Sequence, residues 1–360
     1  MRVAICTSSL KNENRARGIG FYTDRLIKAL HKVDKKNQYI FFTQGKNIPK
    51  CDLIHYPYFD FFFLTLPLVK SVKTVVTIHD LIPLVFPQKF PKGVKGWLKF
   101  QIQKFSLRGA EAVITDSFNS KKDIVKFLSF PEDKIHVVPL APDREFKPLG
   151  KSPMIRTIRL KYQLPRQFIL YVGDVNWNKN ISGLIKAFCK LKSPAFAETP
   201  VSRRDLKLVL VGRAFLDKTV PETRKLLQLF ELLKCRENVF RVGFIPTEDL
   251  VAIYNLATVY VQPSFYEGFG LPVLEAMACG TPVVCSKTSS LPEVGGEAVV
   301  YVNPYDVDNI ARGILEVLCY DTMTHHSRIE KGKKWAKKFS WEKTARETIK
   351  VYEKVVGNNF

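Results

Sequence analysis

The chain has 360 residues, 46% of them hydrophobic, enough apolar material for two ordinary cores at roughly 150 residues per domain. Its formal charge of +22 is spread over both halves, with 25 Lys/Arg against 13 Asp/Glu in residues 1–150 and 31 against 21 in the rest, so it points to an anionic partner and excludes a single basic tail as its source. No run of about 18 apolar residues offers a membrane span, the first residues read as a strand rather than a signal peptide, and seven scattered cysteines without a Cys-x-x-Cys pair suit reduced cytosolic thiols.

In the first half, strand-like runs at Val3–Cys6, Tyr39–Thr43, Asp52–His55, Thr74–Ile78, Ala112–Thr115 and Val137–Leu140 alternate with helical spacing, clearest over Tyr22–Leu30. Such alternation predicts a parallel sheet with crossover helices. Lys89–Arg108 holds six basic and no acidic residues, interleaved with Phe90, Val94, Trp97, Leu98, Phe100, Ile102 and Phe105. Such a stretch suits either an anionic membrane face or a solvated helix packed on its domain.

Residues 142–166 turn basic with scattered prolines and read as an interdomain segment. The domains are therefore placed at 1–150 and 167–340, with a linker at 151–166. A second series follows, with strands at Phe168–Val172, Leu206–Val211, Val239–Val242, Val259–Gln262, Pro282–Cys285 and Val299–Val302, and helices at Ile181–Lys192 and Pro221–Lys234. Residues 193–205 read as a loop insertion, and Trp341–Val356 as a closing helix. His325-His326 has no paired ligand motif, so no metal site is expected there.

The most informative run is Glu267-Gly-Phe-Gly-Leu-Pro-Val-Leu-Glu275. It should leave a strand, cross a glycine-rich loop and enter a helix, with Pro272 in the first turn and Gly280 at the stop. Glycines allow close backbone approach, a helix start offers N–H groups to an anion, and carboxylates accept from sugar hydroxyls. Taken alone, Glu267 could equally be a solvated loop residue and Glu275 a charge favouring the helix dipole.

This run resembles the Glu-x7-Glu signature of the retaining family 4, or "group 1", glycosyltransferases. The resemblance implies the GT-B fold, two Rossmann-like doubly wound domains facing across a cleft, with the closing helix crossing back onto the first domain. It implies that Glu267 meets the donor hexose, that Glu275 binds the ribose, and that the backbone of Gly268, Phe269, Gly270 and Leu271 supports the diphosphate. In Gly173-Asp-Val-Asn-Trp-Asn-Lys179, Lys179 matches a phosphate-contacting lysine, but Asn178 stands where many members have arginine and Asp174 where some have a phosphate-binding arginine. Arg213, at another strand end, is the candidate second cation. Gly18 and Gly20 match a glycine-rich loop near the donor phosphate, Ile245 a segment lining the base, His79 a residue beside the transferred sugar, and Asp80 and Ser117 the acceptor side. For Ser117 a turn or helix cap is an equal reading.

The resemblance thus implies transfer of a hexose, with the wording around His79 and Glu267 most like mannosyltransferases, from a nucleotide-diphosphate sugar to a glycan or lipid-linked glycan. No metal or cofactor is required by the sequence, no nucleic acid is expected, and a cytoplasmic site at the inner membrane face fits. A nucleotide-sugar epimerase or hydrolase, and a non-catalytic binder of anionic lipid or RNA, stay open as alternatives.

Overall fold

The computed structural model describes residues 1–11, 18–45, 48–192 and 205–357. The chain divides into two units, Met1–Ala141 with Phe339–Phe360, and Pro142–Lys338. In chain order the elements are β1 (Arg2–Cys6), α1 (Gly18–Val33), β2 (Gln38–Phe42), β3 (Leu53–Tyr56), β4 (Lys73–Thr77), α2 (Ile82–Val85), α3 (Gly93–Leu107), β5 (Ala112–Thr115), α4 (Phe118–Asp123) and β6 (Ile135–Val137). Then come α5 (Pro153–Lys161), β7 (Gln167–Val172), α6 (Ile181–Leu191), β8 (Leu206–Val211), α7 (Pro221–Leu232), β9 (Val239–Val242), α8 (Thr247–Leu256) and β10 (Val259–Gln262). The chain ends with α9 (Leu271–Cys279), β11 (Val283–Ser286), α10 (Leu291–Gly295), β12 (Val300–Val302), α11 (Val307–Leu318), α12 (Thr322–Ala336) and α13 (Trp341–Gly357).

The first unit is a six-stranded parallel sheet in the order β2-β1-β3-β4-β5-β6. Its inner strands β1, β3, β4 and β5 are buried on both faces because helices cover both. Along β1, Ala4 and Cys6 enter one core while Val3 and Ile5 enter the other, the period-2 alternation of a pleated strand.

Helix α13 belongs to this first unit and packs on α1. The Tyr352 hydroxyl meets His55 Nδ1 at 2.6 Å, and His55 Nε2 meets Thr77 Oγ1 at 2.7 Å. Burial pushes the His55 imidazole down to about 3, so it stays neutral. Lys73 Nζ donates to the carbonyls of Val355 and Val356 at 3.0 and 3.2 Å, satisfying the C-terminal end of α13.

The second unit is a six-stranded parallel sheet in the order β12-β11-β10-β7-β8-β9. Counted from its own first strand, this is the doubly wound order that reverses between β7 and β10. Ligands of such sheets bind outside the carboxyl ends of the strands at that reversal.

Three expectations change. The segment read as a linker contains α5, started by Ser152, whose hydroxyl accepts from the Met154 N–H, and by Pro153 in the first turn. It is pinned to α8 by Lys161 Nζ and Tyr162 Oη on Asp249 Oδ2 at 2.6 and 2.7 Å; scattered prolines and lysines hid this helix. The strand expected at Val137–Leu140 lies earlier, at β6, because Pro139 has no N–H for a ladder. Gly18 and Gly20 lie in the first turn of α1 rather than in a loop, and a side chain at Gly18 would meet nothing within 4 Å. The insertion read at 193–205 falls almost wholly outside the described residues.

Candidate functional site

The carboxyl ends of β7 and β10 carry the residues singled out in the sequence. After β7 the chain turns through a short 3-10 segment, Trp177–Lys179, and Asn180 adopts a left-handed conformation as N-cap of α6. After β10 the run Pro263–Gly270 leads into α9. Asn178 Nδ2 donates to the Tyr266 carbonyl at 3.0 Å, and the Phe265 N–H donates to the Asn178 carbonyl at 2.7 Å. Asn178, a departure from the family pattern, therefore joins the two loops.

Lys179 Nζ lies 2.6 Å from Glu267 Oε2. The other carboxylate oxygen, Oε1, accepts from Gln262 Nε2 and Ser264 Oγ, both at 2.6 Å. Tyr260 in turn donates to Gln262 Oε1, which fixes the amide with its NH₂ toward Glu267. Glu267 is 5% exposed; a buried carboxylate persists when paired and hydrogen-bonded, and this one is both. The loop is held from behind by Ser289, which accepts from the Glu267 N–H at 2.9 Å, and Ser290, which donates to the carbonyls of Glu267 and Phe269 at 3.0 and 2.7 Å.

Gly270 precedes α9 at φ 113°, a conformation that suits glycine. It brings no side chain to cap the helix, so the N–H end of α9 opens on the loop that carries Glu267. Pro272 falls in the first turn and Gly280 at the C-cap, both as expected. One turn in, Glu275 is buried, and its Oε2 accepts from Tyr254 Oη at 2.8 Å. Burial pushes its carboxyl up to about 7; the Tyr254 hydrogen bond opposes the rise and the Asp143 charge adds to it.

Beside β7, the strand β8 is followed by Gly212, where a Cβ would fall 2.0 Å from the Gly173 carbonyl oxygen, so only glycine lets the two strand ends approach. Arg213 follows, its guanidinium carbon 5.6 Å from the Phe244 ring centroid. Ile245, next to Phe244, is buried. Lys179, Arg213, Ile245, Glu267, Gly268, Phe269, Gly270, Leu271 and Glu275 all lie in the second unit.

His79, Asp80 and Ser117 lie in the first unit, as do Gly18 and Gly20. His79 follows β4, and its Nδ1 is 2.8 Å from Asp116 Oδ2, which follows the neighbouring β5. The Tyr22 ring packs edge-on against it at 4.6 Å. Burial opposes a charge on His79, but the Asp116 carboxylate and its hydrogen bond outweigh that and hold the imidazole above its usual range. Burial likewise raises the Asp116 carboxyl. Asp80 Oδ1 accepts from the Ile82 N–H at 3.0 Å, and Ser117 Oγ accepts from the Ser120 N–H at 3.0 Å as N-cap of α4. The cap reading of Ser117 is the one its geometry expresses.

Sequence reasoning missed Asp116, Tyr254, Gln262, Ser289 and Ser290. Asp116 lies between Thr115 and Ser117 in the sequence, but its link to His79 needs the β4–β5 adjacency. Ser289 and Ser290 carry no local signal. Among the described residues no group of three or more His, Cys, Asp or Glu is placed to hold a metal ion, and all seven cysteines are unbridged.

Residues 156–335 match the family model described as glycosyl transferases group 1, and residues 36–146 the model described as glycosyltransferase family 4. The chain belongs to the group 1 glycosyltransferases. It is 36% identical over 285 residues, 78% of this chain and 70% of the other, to the O-antigen chain mannosyltransferase B of Escherichia coli. It is 31% identical over 79% of its length to the serotype-specific mannosyltransferase WbdA of Escherichia coli, of which it spans only about a third. Among solved structures, HepE of Anabaena in complex with UDP and glucose superposes with a TM-score of 0.75 at 16% identity, covering 98% of this chain and 100% of that one. At that identity the likeness speaks for the fold, which is GT-B, with two Rossmann-like units. The glycosyltransferase is thus placed in glycan assembly, and the epimerase, hydrolase and binder readings are not favoured.

Proposed function

We propose that this glycosyltransferase moves a hexose, mannose in the first instance, from a nucleotide-diphosphate sugar to a hydroxyl of a glycan or lipid-linked glycan, with retention of anomeric configuration. The observation that carries the reading is the 2.6 Å Lys179–Glu267 pair at the point where the strand order of the second unit reverses. A cation and a carboxylate so close can serve adjacent groups of one ligand, the phosphate and the hexose. The names of the mannosyltransferase relatives support the choice of sugar.

In this reading the sugar–phosphate bond breaks as negative charge grows on the diphosphate. Lys179, the amides of Gly268–Leu271 and the N-terminal end of α9 stabilise that charge, with Arg213 as a second cation and Gly18 and Gly20 near the phosphate. Glu267 accepts from hexose hydroxyls, Glu275 from the ribose, and the segment at Ile245 lines the base. The acceptor hydroxyl attacks the face the phosphate leaves, and its proton passes to the departing phosphate oxygen. His79, oriented by Asp116, acts electrostatically rather than as a base, with Asp80 and Ser117 on the acceptor side. No resident metal ion or other cofactor is assigned to this chemistry, and nucleic acid is not among the proposed partners.

The reading extends to a cytoplasmic enzyme touching the inner membrane face through α3. This helix buries Gly96, Phe100, Gln103, Ser106 and Leu107, yet its solvent side carries Val94, Leu98, Ile102 and Phe105 at helical spacing, with Trp97 beside them. The neighbouring loop adds exposed Phe63, Leu64, Leu68 and Val69. Lysines border the patch, Lys99 over the Phe63 ring at 5.3 Å. An apolar face rimmed by cations suits a bilayer of anionic lipid. Among the described residues no helix is long and apolar enough to cross a membrane.

A panel of nucleotide sugars tested by thermal shift identifies the donor, because a bound ligand raises stability by mass action. NMR of the product anomeric proton then reads the configuration. Donor consumption without acceptor, at the same rate as with it, would replace transfer by hydrolysis.

A further inference from the structure

Three aromatic rings from three different loops of the second unit form a stack. Trp177 and Phe265 lie 4.8 Å apart at 27°, and Phe265 and Tyr305 lie 4.9 Å apart at 26°. The loops follow β7, β10 and β12. The buried side chain of Asn180 ties them together, since its Nδ2 donates to the carbonyls of Pro263 and Pro304 at 3.0 and 2.7 Å. The Tyr305 N–H is held by Asn303 Oδ1 at 3.0 Å, yet the Tyr305 side chain is 65% exposed. A ring held this firmly and left in solvent is not filling a core.

Beside the stack is a hollow of about 370 Å³, lined also by Ser182, Lys186, Glu222 and Lys225. We propose that this hollow is a glycan-binding subsite, apart from the Lys179–Glu267 pair, which holds a pyranose segment of the acceptor or product chain. A pyranose offers a C–H face that packs on an aromatic ring and an edge of hydroxyls that bond to Ser, Lys and Glu side chains. Cations and a carboxylate together on the rim suit a neutral polyol better than an anion. The volume is at the small end for ligand sites, suiting a short saccharide. Trp177 and Phe265 are each two residues from the Lys179–Glu267 pair, so a chain held here would stay beside the proposed donor site. The choice of a glycan as occupant rests on the glycan-assembly reading above.

Saturation-transfer NMR and calorimetry on the full chain, with α-mannotetraose and maltotetraose as probes and no donor present, test the subsite without requiring turnover. The wild type binds at least one tetraose. Tyr305→Ala weakens it by about tenfold, the size of one lost aromatic contact. Tyr305→Phe binds as wild type, and Glu267→Gln still binds. Absence of binding to both probes, equal binding by Tyr305→Ala, or loss of binding in Glu267→Gln would each overturn the proposal. Failure of donor transfer in a protein that still binds the tetraose would sink the functional reading and leave the subsite standing. If acceptor transfer and product length both respond to Tyr305→Ala, the segment belongs to the growing chain; if only product length responds, it belongs to the product.

Discussion

The Lys179 ammonium and the Glu267 carboxylate meet at 2.6 Å, with the carboxylate side chain 7% exposed and the lysine 22%. Pairs this dry are sensitive to loss of one partner, which strands the other charge. Lys179→Met should therefore destabilise the fold by about 1–3 kcal/mol, within the usual range for an unsatisfied buried partner. Lys179→Met with Glu267→Gln should recover part of that loss. Urea unfolding of the single and double variants measures the coupling, and strictly additive effects would mean the pair is idle.

Glu275 gives a pH test. Its carboxyl is raised from an ordinary 4.5 to about 7. The folded state holds its proton more tightly than the unfolded one, so this group reduces stability as pH rises from 4.5 through 7. The penalty is on the order of 3 kcal/mol when fully developed. Glu275→Gln removes it, so the variant should gain melting temperature over wild type at pH 8 and little at pH 4.5, while losing donor-induced stabilisation. An equal shift at both pH values would contradict the buried-carboxyl account.

Asp116 holds the His79 imidazole above its usual range. A raised histidine contributes stability that is full below its unfolded value of about 6.5 and is lost as pH rises through the folded value. In Asp116→Asn the His79 titration followed by NMR should move down. The stability gap between wild type and variant should narrow from pH 6 to pH 9. An unmoved titration would remove Asp116 as the orienting group.

Tyr352→Phe deletes the hydroxyl that meets His55 Nδ1 inside the first unit. It should cost about 1–3 kcal/mol in chemical denaturation, the penalty of an unmet buried polar atom. Donor-induced thermal shift should stay as in wild type, since neither Tyr352 nor His55 is among the residues proposed to hold the donor.

For the apolar face of α3, Trp97→Ser with Phe105→Ser should abolish sedimentation with vesicles containing anionic phosphatidylglycerol and leave transfer to a soluble acceptor unchanged. Retained vesicle binding would assign that face to something other than lipid.

Much of this was legible in the sequence because parallel strands buried on both faces are continuous apolar runs. Phe168–Val172, Leu206–Val211 and Val259–Gln262 announce themselves within a residue of their observed limits. The Glu267–Glu275 run was legible because proline and glycine punctuate a loop-to-helix turn. Helix α5 was not, since its cap, Ser152-Pro153, lies among prolines and lysines that mimic a linker. Neither was the support of the site. Gln262 reads as one more strand residue, and Ser289 and Ser290 as ordinary loop serines. Their meaning comes from strands and loops brought together across the sheet. Asn178 looked like a defect in the family's cationic pattern, yet its amide holds two loops together through Tyr266 and Phe265.

The most direct measurement of the central claim is kcat/KM for hexose transfer in Lys179→Ala and Glu267→Gln against wild type, with the donor found by thermal shift. Loss of charge-assisted contacts of about 1.5–3 kcal/mol each lowers it by roughly 10- to 150-fold per variant. Both variants turning over at the wild-type rate would show that the sugar and its diphosphate are held elsewhere.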